Sequence, residues 1–220
     1  MIRKILDLYC CAGGAAMGYH RAGFEVTGID VSIQPEYPFE FIQGDVLTMD
    51  FDWSQYDAIH ASPPCQALSN ITGEHRAKHD DLIPQTRELL ESSGLPYIIE
   101  NVVGAPLVDP IRLCGRSFPG LRVYRHRLFE SNFPLVAPPH QSHDQLCYTL
   151  DKRKPHYGRL DDMTAFVQVT GGGNSSKAAA ADAMGINWMR TKKQLNESIP
   201  PAYTEFLGRQ LVTHLETVKA

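Results

Sequence analysis

The chain of 220 residues is 43% hydrophobic and 21% charged, which is typical of a globular protein with a sizeable core. Its formal net charge of −4 argues against a protein that binds nucleic acid with its whole surface, although a local basic face is compatible with that charge. No apolar run is long enough to cross a membrane, the N-terminal residues do not resemble a signal peptide, and the five cysteines show no framework spacing. We therefore expect a cytoplasmic protein with no membrane partner.

Short apolar runs alternate with helix-like stretches in the first half of the chain. The predicted strands are 5–9, 25–30, 39–43, 57–61 and 96–100, and the predicted helices are 15–22 and 81–92. In the second helix Leu82, Leu89 and Leu90 share one face, and Gly94 ends it. Strands that alternate with helices indicate an α/β fold whose parallel sheet is covered on both faces.

Four chemically informative side chains fall at the carboxyl ends of predicted strands or just after them. These residues are Asp30, Asp45, Cys65 and Glu100. In open α/β sheets, ligands bind outside the carboxyl ends of the strands. We therefore expect these four residues to share one site.

Cys65 follows two prolines in the stretch Ser62-Pro63-Pro64-Cys65-Gln66. Consecutive prolines cannot extend a strand ladder, and they hold the backbone stiffly extended. A cysteine on such a turn is placed for nucleophilic attack. Because cysteine is also among the most frequently buried residue types, a packing role for Cys65 stays open at this point.

The segment between the first strand and its helix has features of a cofactor site. It contains Gly13-Gly14 but lacks the Gly-x-Gly-x-x-Gly spacing, which disfavours a dinucleotide. A tight Gly-Gly turn still exposes N–H groups that can hold a carboxylate. Asp30 suits a pair of ribose hydroxyls, and Asp45 could accept a hydrogen bond from an exocyclic amine. Together these features describe S-adenosylmethionine, and the alternative is an ordinary turn with two solvated acids.

The second half of the chain begins irregularly. Scattered prolines and histidines, the basic run Lys152-Arg153-Lys154 and the triplet 171–173 predict loops and short elements between residues 131 and 190. A helix is predicted to start at Pro200-Pro201, with Tyr203, Phe206, Leu207, Leu211 and Leu215 at core spacing.

Three residues of the irregular region could ligate a metal. They are His140, His143 and Cys147. Because the sequence shows no clear fourth partner, we expect no metal site.

Four segments occur in an order that resembles the DNA (cytosine-5) methyltransferase family, in a short form like those of bacteriophages and their hosts. The segments are 7–14, Ser62-Pro63-Pro64-Cys65-Gln66, Glu100-Asn101-Val102 and Arg125-His126-Arg127. The resemblance spans residues 7–211, with a poor match after Arg127. It implies a Rossmann-like, class I S-adenosylmethionine-dependent methyltransferase fold, with a mostly parallel sheet and a small, irregular target-recognition region.

The resemblance also implies roles for individual residues. The catalytic residues would be Cys65 as nucleophile, Glu100 at N3 and the amino group of cytosine, and Arg127, supported by Arg125, at its O2. The cofactor would contact Tyr9, Cys10, Ala12, Gly13, Gly14, Asp30, Val31, Asp45, Val46, Pro64, Ser198 and Ile199. The expected regions are a catalytic domain at 1–130, target recognition at 131–190, and a C-terminal segment at 191–220 that packs back beside the first strand.

Several positions depart from the family pattern. Cys11 and Ser62 stand where the family commonly has glycine, Val123 where a glutamine often precedes the arginines, and Glu197 where asparagine is usual. None of these departures falls on the nucleophile or the acid.

The resemblance predicts a monomer that methylates cytosine at C5 in double-stranded DNA, in a bacterium or a phage-infected host. Lys152, Arg153, Lys154 and Arg159 are candidate phosphate contacts. A zinc-dependent deaminase would need a second cysteine near Cys65, and methylation of an exocyclic amine needs no cysteine after Pro-Pro. Methylation of tRNA by the same chemistry, or a non-catalytic DNA-binding relative, stays open.

Overall fold

A computed structural model of the chain describes residues 2–64, 81–144, 147–148, 165–170 and 175–218. The strands are β1 (Arg3–Leu8), β2 (Phe24–Asp30), β3 (Glu40–Gln43), β4 (Ala58–Ala61), β5 (Tyr97–Asn101), β6 (Ile111–Leu113), β7 (Arg127–Ser131), β8 (Cys147–Tyr148) and β9 (Phe166–Val167). The helices are α1 (Gly14–Arg21), α2 (Ile83–Ser93), α3 (Lys177–Met184), α4 (Lys192–Glu197) and α5 (Pro201–Val218).

Seven strands form the main sheet in the order β3-β2-β1-β4-β5-β7-β6, and β8 and β9 form a separate parallel pair. The five strands from β3 to β5 are parallel, as predicted, whereas β7 runs antiparallel to both of its neighbours. The register aligns Leu8 with both Ile29 and Ala61, and Ala61 with Ile99. The carboxyl ends of these strands therefore meet at one edge of the sheet.

Alternating side chains of the central strands supply two apolar cores, one on each face of the sheet. On β1, Ile5 joins the core that contains α1 and α5, whereas Leu6 and Leu8 join the core that contains Leu90 of α2. This alternation is the two-residue period of a strand that is buried on both faces. The prediction of a sheet covered on both faces is confirmed.

Helix α5 packs against α1, the helix that follows the first strand. Two glycines allow the approach, since a Cβ on Gly18 would lie 2.2 Å from the Pro201 carbonyl oxygen and a Cβ on Gly208 2.7 Å from Cβ of Ala22. The Thr204 hydroxyl donates to the Ala15 carbonyl at 2.7 Å, and Arg3 pairs with Glu216 at 2.8 Å. The C-terminal segment thus lies against α1 and the first strand.

Helix α2 differs in detail from its prediction. Its buried stripe is Ile83, Thr86 and Leu90, whereas Leu82 lies before the first turn and Leu89 is only partly buried. The Asp81 carboxylate accepts from the Ile83 N–H at 3.0 Å, and a proline occupies the first turn. Because these two features fix the helix start, the stripe that faces the sheet is rotated from the predicted one.

The described part of the irregular region forms a third apolar core. It is built from β9, α3 and α4 together with Ala12 and Val123. Ser176 caps the start of helix α3, where its side chain accepts from the Ala179 N–H, and Gly185 caps the end of the helix. None of the helices in the described residues is both long and apolar enough to span a membrane.

Candidate active site

Glu100 is the second-to-last residue of β5, and its side chain is 7% exposed. Strand β5 lies between β4 and β7. The antiparallel β7 begins with Arg127, whose Nε lies 3.0 Å from Oε1 of Glu100. The reversed direction of β7 is what brings its first residue next to the carboxyl end of β5. The structure therefore brings together two of the predicted catalytic residues.

Burial dominates the electrostatics of Glu100. Removal from water raises the pKa of its carboxyl above the ordinary value, against the opposing effects of the Arg127 charge, a hydrogen bond from Ser62 and the Arg125 charge. A raised pKa shifts this carboxyl toward the protonated form, the form in which it can act as a general acid.

A chain of buried polar groups leads from helix α1 to Glu100. The Tyr19 hydroxyl lies 2.9 Å from Nδ1 of His60, and Nε2 of His60 lies 3.0 Å from the Ser62 hydroxyl. Burial lowers the pKa of His60 to about 3, so its ring is neutral at physiological pH. One tautomer satisfies every group: Tyr19 donates to Nδ1, Nε2–H donates to Ser62, and Ser62 donates to Glu100.

Asn101 fixes the backbone that leads to the predicted nucleophile. Its side-chain amide donates to the Pro63 carbonyl oxygen at 2.9 Å, and both residues are buried. The turn Pro63-Pro64 is thereby tied to the residue that follows Glu100. Cys65 itself, and the residues that follow it to Asp80, lie outside the described residues.

Arg125 acts as a connector between chain segments. Its guanidinium donates to the carbonyl oxygens of Val169 at 2.7 Å and Asn196 at 2.6 Å, and its backbone adopts a positive φ of 32°. Its own carbonyl oxygen accepts from the Tyr203 hydroxyl at 2.9 Å. The charge of Arg125 also acts on Glu100, where it opposes the rise in the pKa of the carboxyl.

The turn after β1 has an unusual backbone. Tyr9, Cys11 and Gly13 have φ values of 57°, 45° and 79°, all in the left-handed region that glycine tolerates best. The Cys11 N–H donates to Oδ2 of Asp30 at 3.0 Å. This contact between β1 and β2 holds Cys11 in a conformation that normally calls for glycine, which explains why a glycine would suit this position.

Asp30 ends β2 at the same edge of the sheet. Its second carboxylate oxygen accepts from the Ser32 N–H at 2.9 Å. The next residue, Val31, is 67% exposed, an uncommon location for an apolar side chain beside an acid. Asp30 retains acceptor capacity, since an ionised carboxylate has about four lone-pair sites.

Two C-terminal residues lie against the glycine turn. A Cβ on Gly14 would lie 1.8 Å from Oγ of Ser198 and 2.7 Å from the carbonyl oxygen of Ile199. On another side, the Trp188 indole donates to the Ala12 carbonyl at 2.8 Å. The structure therefore places Ser198 and Ile199 at the predicted cofactor turn. It also places Trp188 there, a residue that no motif or spacing in the sequence indicated.

The remaining predicted cofactor residues differ in what they can offer. Tyr9 is half-buried and bonds Thr86 at 2.9 Å, Pro64 is half-buried, and Asp45 is exposed and accepts from the Leu47 N–H at 3.0 Å. The side chains of Cys10 and Val46 are buried in the two cores, so these residues present backbone to a ligand.

The charges of this edge fit the expected cofactor. Burial raises the pKa values of Asp7 and Glu197, and the negative field of Asp30 raises both further. Oδ1 of Asp7 is buried and has no hydrogen-bond partner among the described residues. S-adenosylmethionine carries a sulfonium and an ammonium group, and a cation would relieve this field.

Comparisons with known proteins agree with this site. Residues 3–106 match the family described as C-5 cytosine-specific DNA methylase. A comparison with curated protein sequences finds no match.

Solved structures that resemble the chain cover nearly its whole length. A candidate DNA modification methyltransferase encoded within a prophage (E. coli) has a TM-score of 0.69 and 15% identity, over 98% of this chain and 99% of that one. The Dnmt2 methyltransferase of S. pombe has a TM-score of 0.63 and 15% identity, over 97% and 99%. The Entamoeba histolytica methyltransferase EhMeth has a TM-score of 0.59 and 14% identity, over 98% and 99%.

At these identities the structural likeness establishes the fold alone. The mostly parallel, seven-stranded sheet is that of class I S-adenosylmethionine-dependent methyltransferases, which confirms the predicted fold and cofactor. The match to the C-5 cytosine-specific DNA methylase family covers residues 3–106, the part of the chain that holds the glycine turn, the Pro-Pro turn and Glu100.

Proposed function

We propose that this protein transfers a methyl group to C5 of a cytosine that has been flipped out of double-stranded DNA. The observation that carries the proposal is the buried Glu100–Arg127 pair, which lies beside a Pro-Pro turn that ends at a cysteine. Related reactions at an exocyclic amine need neither that cysteine nor a buried acid.

The proposed chemistry begins with the C6 carbon of cytosine. The Cys65 thiolate adds to C6 while N3 receives a proton from Glu100, which makes C5 nucleophilic. S-adenosylmethionine would supply the methyl group to C5 and leave as S-adenosylhomocysteine. Loss of the C5 proton to a base and return of the N3 proton to Glu100 then allow the Cys65–C6 bond to break, which restores the aromatic ring and the thiolate.

The described residues support this sequence in two ways. A free cysteine with an ordinary pKa of about 8.5 is only a few per cent thiolate at neutral pH. The reaction therefore depends on a group that donates a proton to N3. Burial favours the protonated form of Glu100, and Arg127 fixes the orientation of its carboxyl. Asn101 restrains the carbonyl of Pro63, two residues before the sulfur, so that the thiolate has a defined approach.

We propose that the cofactor is held at the turn 9–14 and at Asp30. Asp30 would accept from the ribose hydroxyls and the exposed Val31 would contact the adenine. Ser198 and Ile199, which lie against Gly14, would close the methionine end of the site. The remaining residues proposed for this site are Asp45, Val46 and Pro64, and Cys10 through its backbone.

DNA recognition is proposed for residues 131–190. The candidate phosphate contacts Lys152, Arg153, Lys154 and Arg159 lie outside the described residues. Residues 166–190 also contribute to the core behind the cofactor turn, so we propose that this part of the region serves as a support rather than a reader. We further propose that the protein acts as a monomer in DNA modification in bacteria or phage-infected cells, in line with its likeness to the prophage structure.

The decisive experiment measures transfer of a labelled methyl group to duplex DNA and, separately, to tRNA. We expect labelled 5-methylcytosine in DNA, a stable adduct with duplexes that contain 5-fluorocytosine, and neither product with Cys65→Ala. Cys147→Ala, which changes a different cysteine, serves as the matched control and should retain both.

Other outcomes have distinct meanings. Labelling of tRNA alone would replace DNA as the substrate and keep the chemistry. DNA binding without transfer to either nucleic acid would indicate a non-catalytic relative. Turnover by Cys65→Ala would remove the covalent mechanism.

A further inference from the structure

Four side chains that bind transition metals meet at the outer edge of the main sheet. Cys114 follows β6 directly, His126 precedes β7 directly, and His140 and His143 lie in the segment after β7. We refer to these four residues as the Cys-His cluster. Three separate stretches of chain thus converge on one point.

The candidate ligand atoms are close together. Sγ of Cys114 lies 3.4 Å from Nε2 of His143, and Nε2 of His126 lies 3.0 Å from Nε2 of His140. All four ligand atoms lie within 4.8 Å of one another. In a tetrahedral zinc site with ordinary bond lengths, neighbouring ligand atoms are separated by roughly 3.3 to 3.6 Å. The cluster therefore needs to contract by only about an ångström to surround an ion of that size.

The orientation of the rings points the same way. The His126 and His140 rings are stacked at 17° with their centroids 5.3 Å apart, and the His126 and His143 rings are stacked at 25° with centroids 4.9 Å apart. Nε2 of His126 faces Nε2 of His140, and Nε2 of His143 faces Sγ of Cys114. Imidazoles that only pack on one another have no reason to converge on a thiol.

We propose that Cys114, His126, His140 and His143 bind one zinc ion in a closed, four-coordinate structural site. Three imidazoles and a thiolate are ligands that select zinc over magnesium or calcium. A set of four protein ligands leaves no open position for a substrate, as in structural zinc sites. Cys147, which the sequence suggested as a ligand, is not part of the cluster that the described residues form.

The ion would have a definite mechanical effect. His140 and His143 would be tied to the end of β6, which anchors the first part of the proposed recognition region to the main sheet. His126 would be tied to the start of β7, next to the Arg127 that pairs with Glu100. The His126 carbonyl also accepts from the Arg127 guanidinium at 2.9 Å. Zinc would therefore stiffen the support of the active-site arginine without touching the substrate.

Metal content of the intact protein tests this proposal. The protein is purified from zinc-supplemented medium and passed over a weak chelating resin, and zinc is measured by mass spectrometry. We expect about one zinc ion per chain for the wild type. Cys114→Ser and His140→Asn should retain less than about a tenth of it. Cys147→Ser and His20→Asn are matched controls outside the cluster and should retain all of it.

Cobalt substitution gives a second measurement that requires no variant to fold. The protein is unfolded with chelator, refolded with Co²⁺ and examined by absorption spectroscopy. We expect intense visible bands of tetrahedral cobalt and a thiolate-to-cobalt charge-transfer band in the near ultraviolet. Zinc-free wild-type protein that shows only a weak octahedral cobalt spectrum would overturn the proposal. Equal zinc in the wild type, Cys114→Ser and His140→Asn would overturn it as well.

Discussion

The carboxyl group of Glu100 is subject to two opposing influences. Burial raises its pKa, whereas the Arg127 charge, the Ser62 hydrogen bond and the Arg125 charge favour the ionised form. The balance lies on the side of a raised pKa. The same carboxyl therefore pairs with an arginine while burial favours its protonated form, as the proposed role of an acid requires.

Replacement of Glu100 by Gln tests its role as the acid. The amide keeps the shape and can donate a hydrogen bond, but it cannot transfer a proton. We expect the rate of methyl transfer to fall by roughly 10² to 10⁴ while cofactor affinity stays nearly unchanged. Single-turnover rates on duplex DNA and calorimetric binding of S-adenosylmethionine provide the two numbers. A rate near that of the wild type would assign the proton to another group.

Replacement of Ser62 by Ala tests the hydrogen bond to Glu100. Because this bond favours the ionised carboxyl, its loss should raise the pKa of Glu100 further. The acid would then stay protonated to higher pH, so the alkaline limb of the kcat profile should move upward. At a given pH on the alkaline limb, we expect the kcat of Ser62→Ala to exceed that of the wild type by up to about tenfold. A downward shift, or the same shift in the surface variant Ser54→Ala, would contradict the assignment.

Helices α1 and α5 pack against each other more extensively than any other pair of helices among the described residues. Gly18 lies under the first turn of α5, where a Cβ would be 2.2 Å from a backbone carbonyl oxygen and 2.6 Å from a backbone nitrogen. Backbone atoms of a helix cannot move aside as a side chain can, so an added methyl group must displace the helix.

Replacement of Gly18 by Ala should therefore destabilise the fold. Alanine favours an isolated helix over glycine by about 1 kcal/mol, but overpacking here should cost about 1 to 3 kcal/mol net. His20→Ala, at an exposed position of the same helix, is the matched control. Urea denaturation of both variants measures the difference, and a Gly18→Ala protein as stable as the wild type would show that α5 can shift.

The sequence predicted the elements with strong periodicity and missed those defined by distant contacts. Helix α5 and the five parallel strands follow from apolar spacing, with boundaries within about two residues. Strand β6 has only three residues, Ile111–Leu113, and it exists because β7 pairs with it in reverse. No local pattern in so short a segment distinguishes a strand from a loop.

The same limit applies to the site. The residues Glu100 and Arg127 could be assigned from the family resemblance, and the structure places them in contact. The Tyr19–His60–Ser62 chain and the bond from Asn101 to Pro63 join residues up to 41 positions apart. The Cys-His cluster draws its ligands from three segments, so the spacing of any one segment could not reveal it.

At the scale of the whole molecule, one buried acid links stability to pH. Burial raises the pKa of Asp7 from 3.8 to about 8, with a lowering effect from the Tyr37 hydrogen bond and raising effects from Asp30 and Glu100. Between these two values the unfolded chain releases a proton that the folded protein keeps. The contribution of Asp7 to the free energy of unfolding is therefore most favourable below pH 4. It falls as the pH rises and levels off above about pH 8.

Replacement of Asp7 by Asn should remove this slope. Because the amide cannot ionise, we expect the free energy of unfolding of the variant to rise relative to that of the wild type between pH 5 and pH 8. The relative increase should be on the order of a few kcal/mol at pH 8. Thermal unfolding at a series of pH values follows the difference. A constant difference across the range would mean that Asp7 is ionised in the folded protein.

The contact between α1 and α5 also governs when the chain can finish folding during synthesis. Tyr19 of α1 shares its core with Tyr203, Leu207 and Leu211 of α5, which leave the ribosome long after it does. Until then α1 presents an uncovered apolar face, open to chaperones and proteases. A nascent chain arrested before residue 201 should be cut readily by protease, whereas a released chain that includes α5 should resist, so methylating capacity would arise only after α5 has docked on α1.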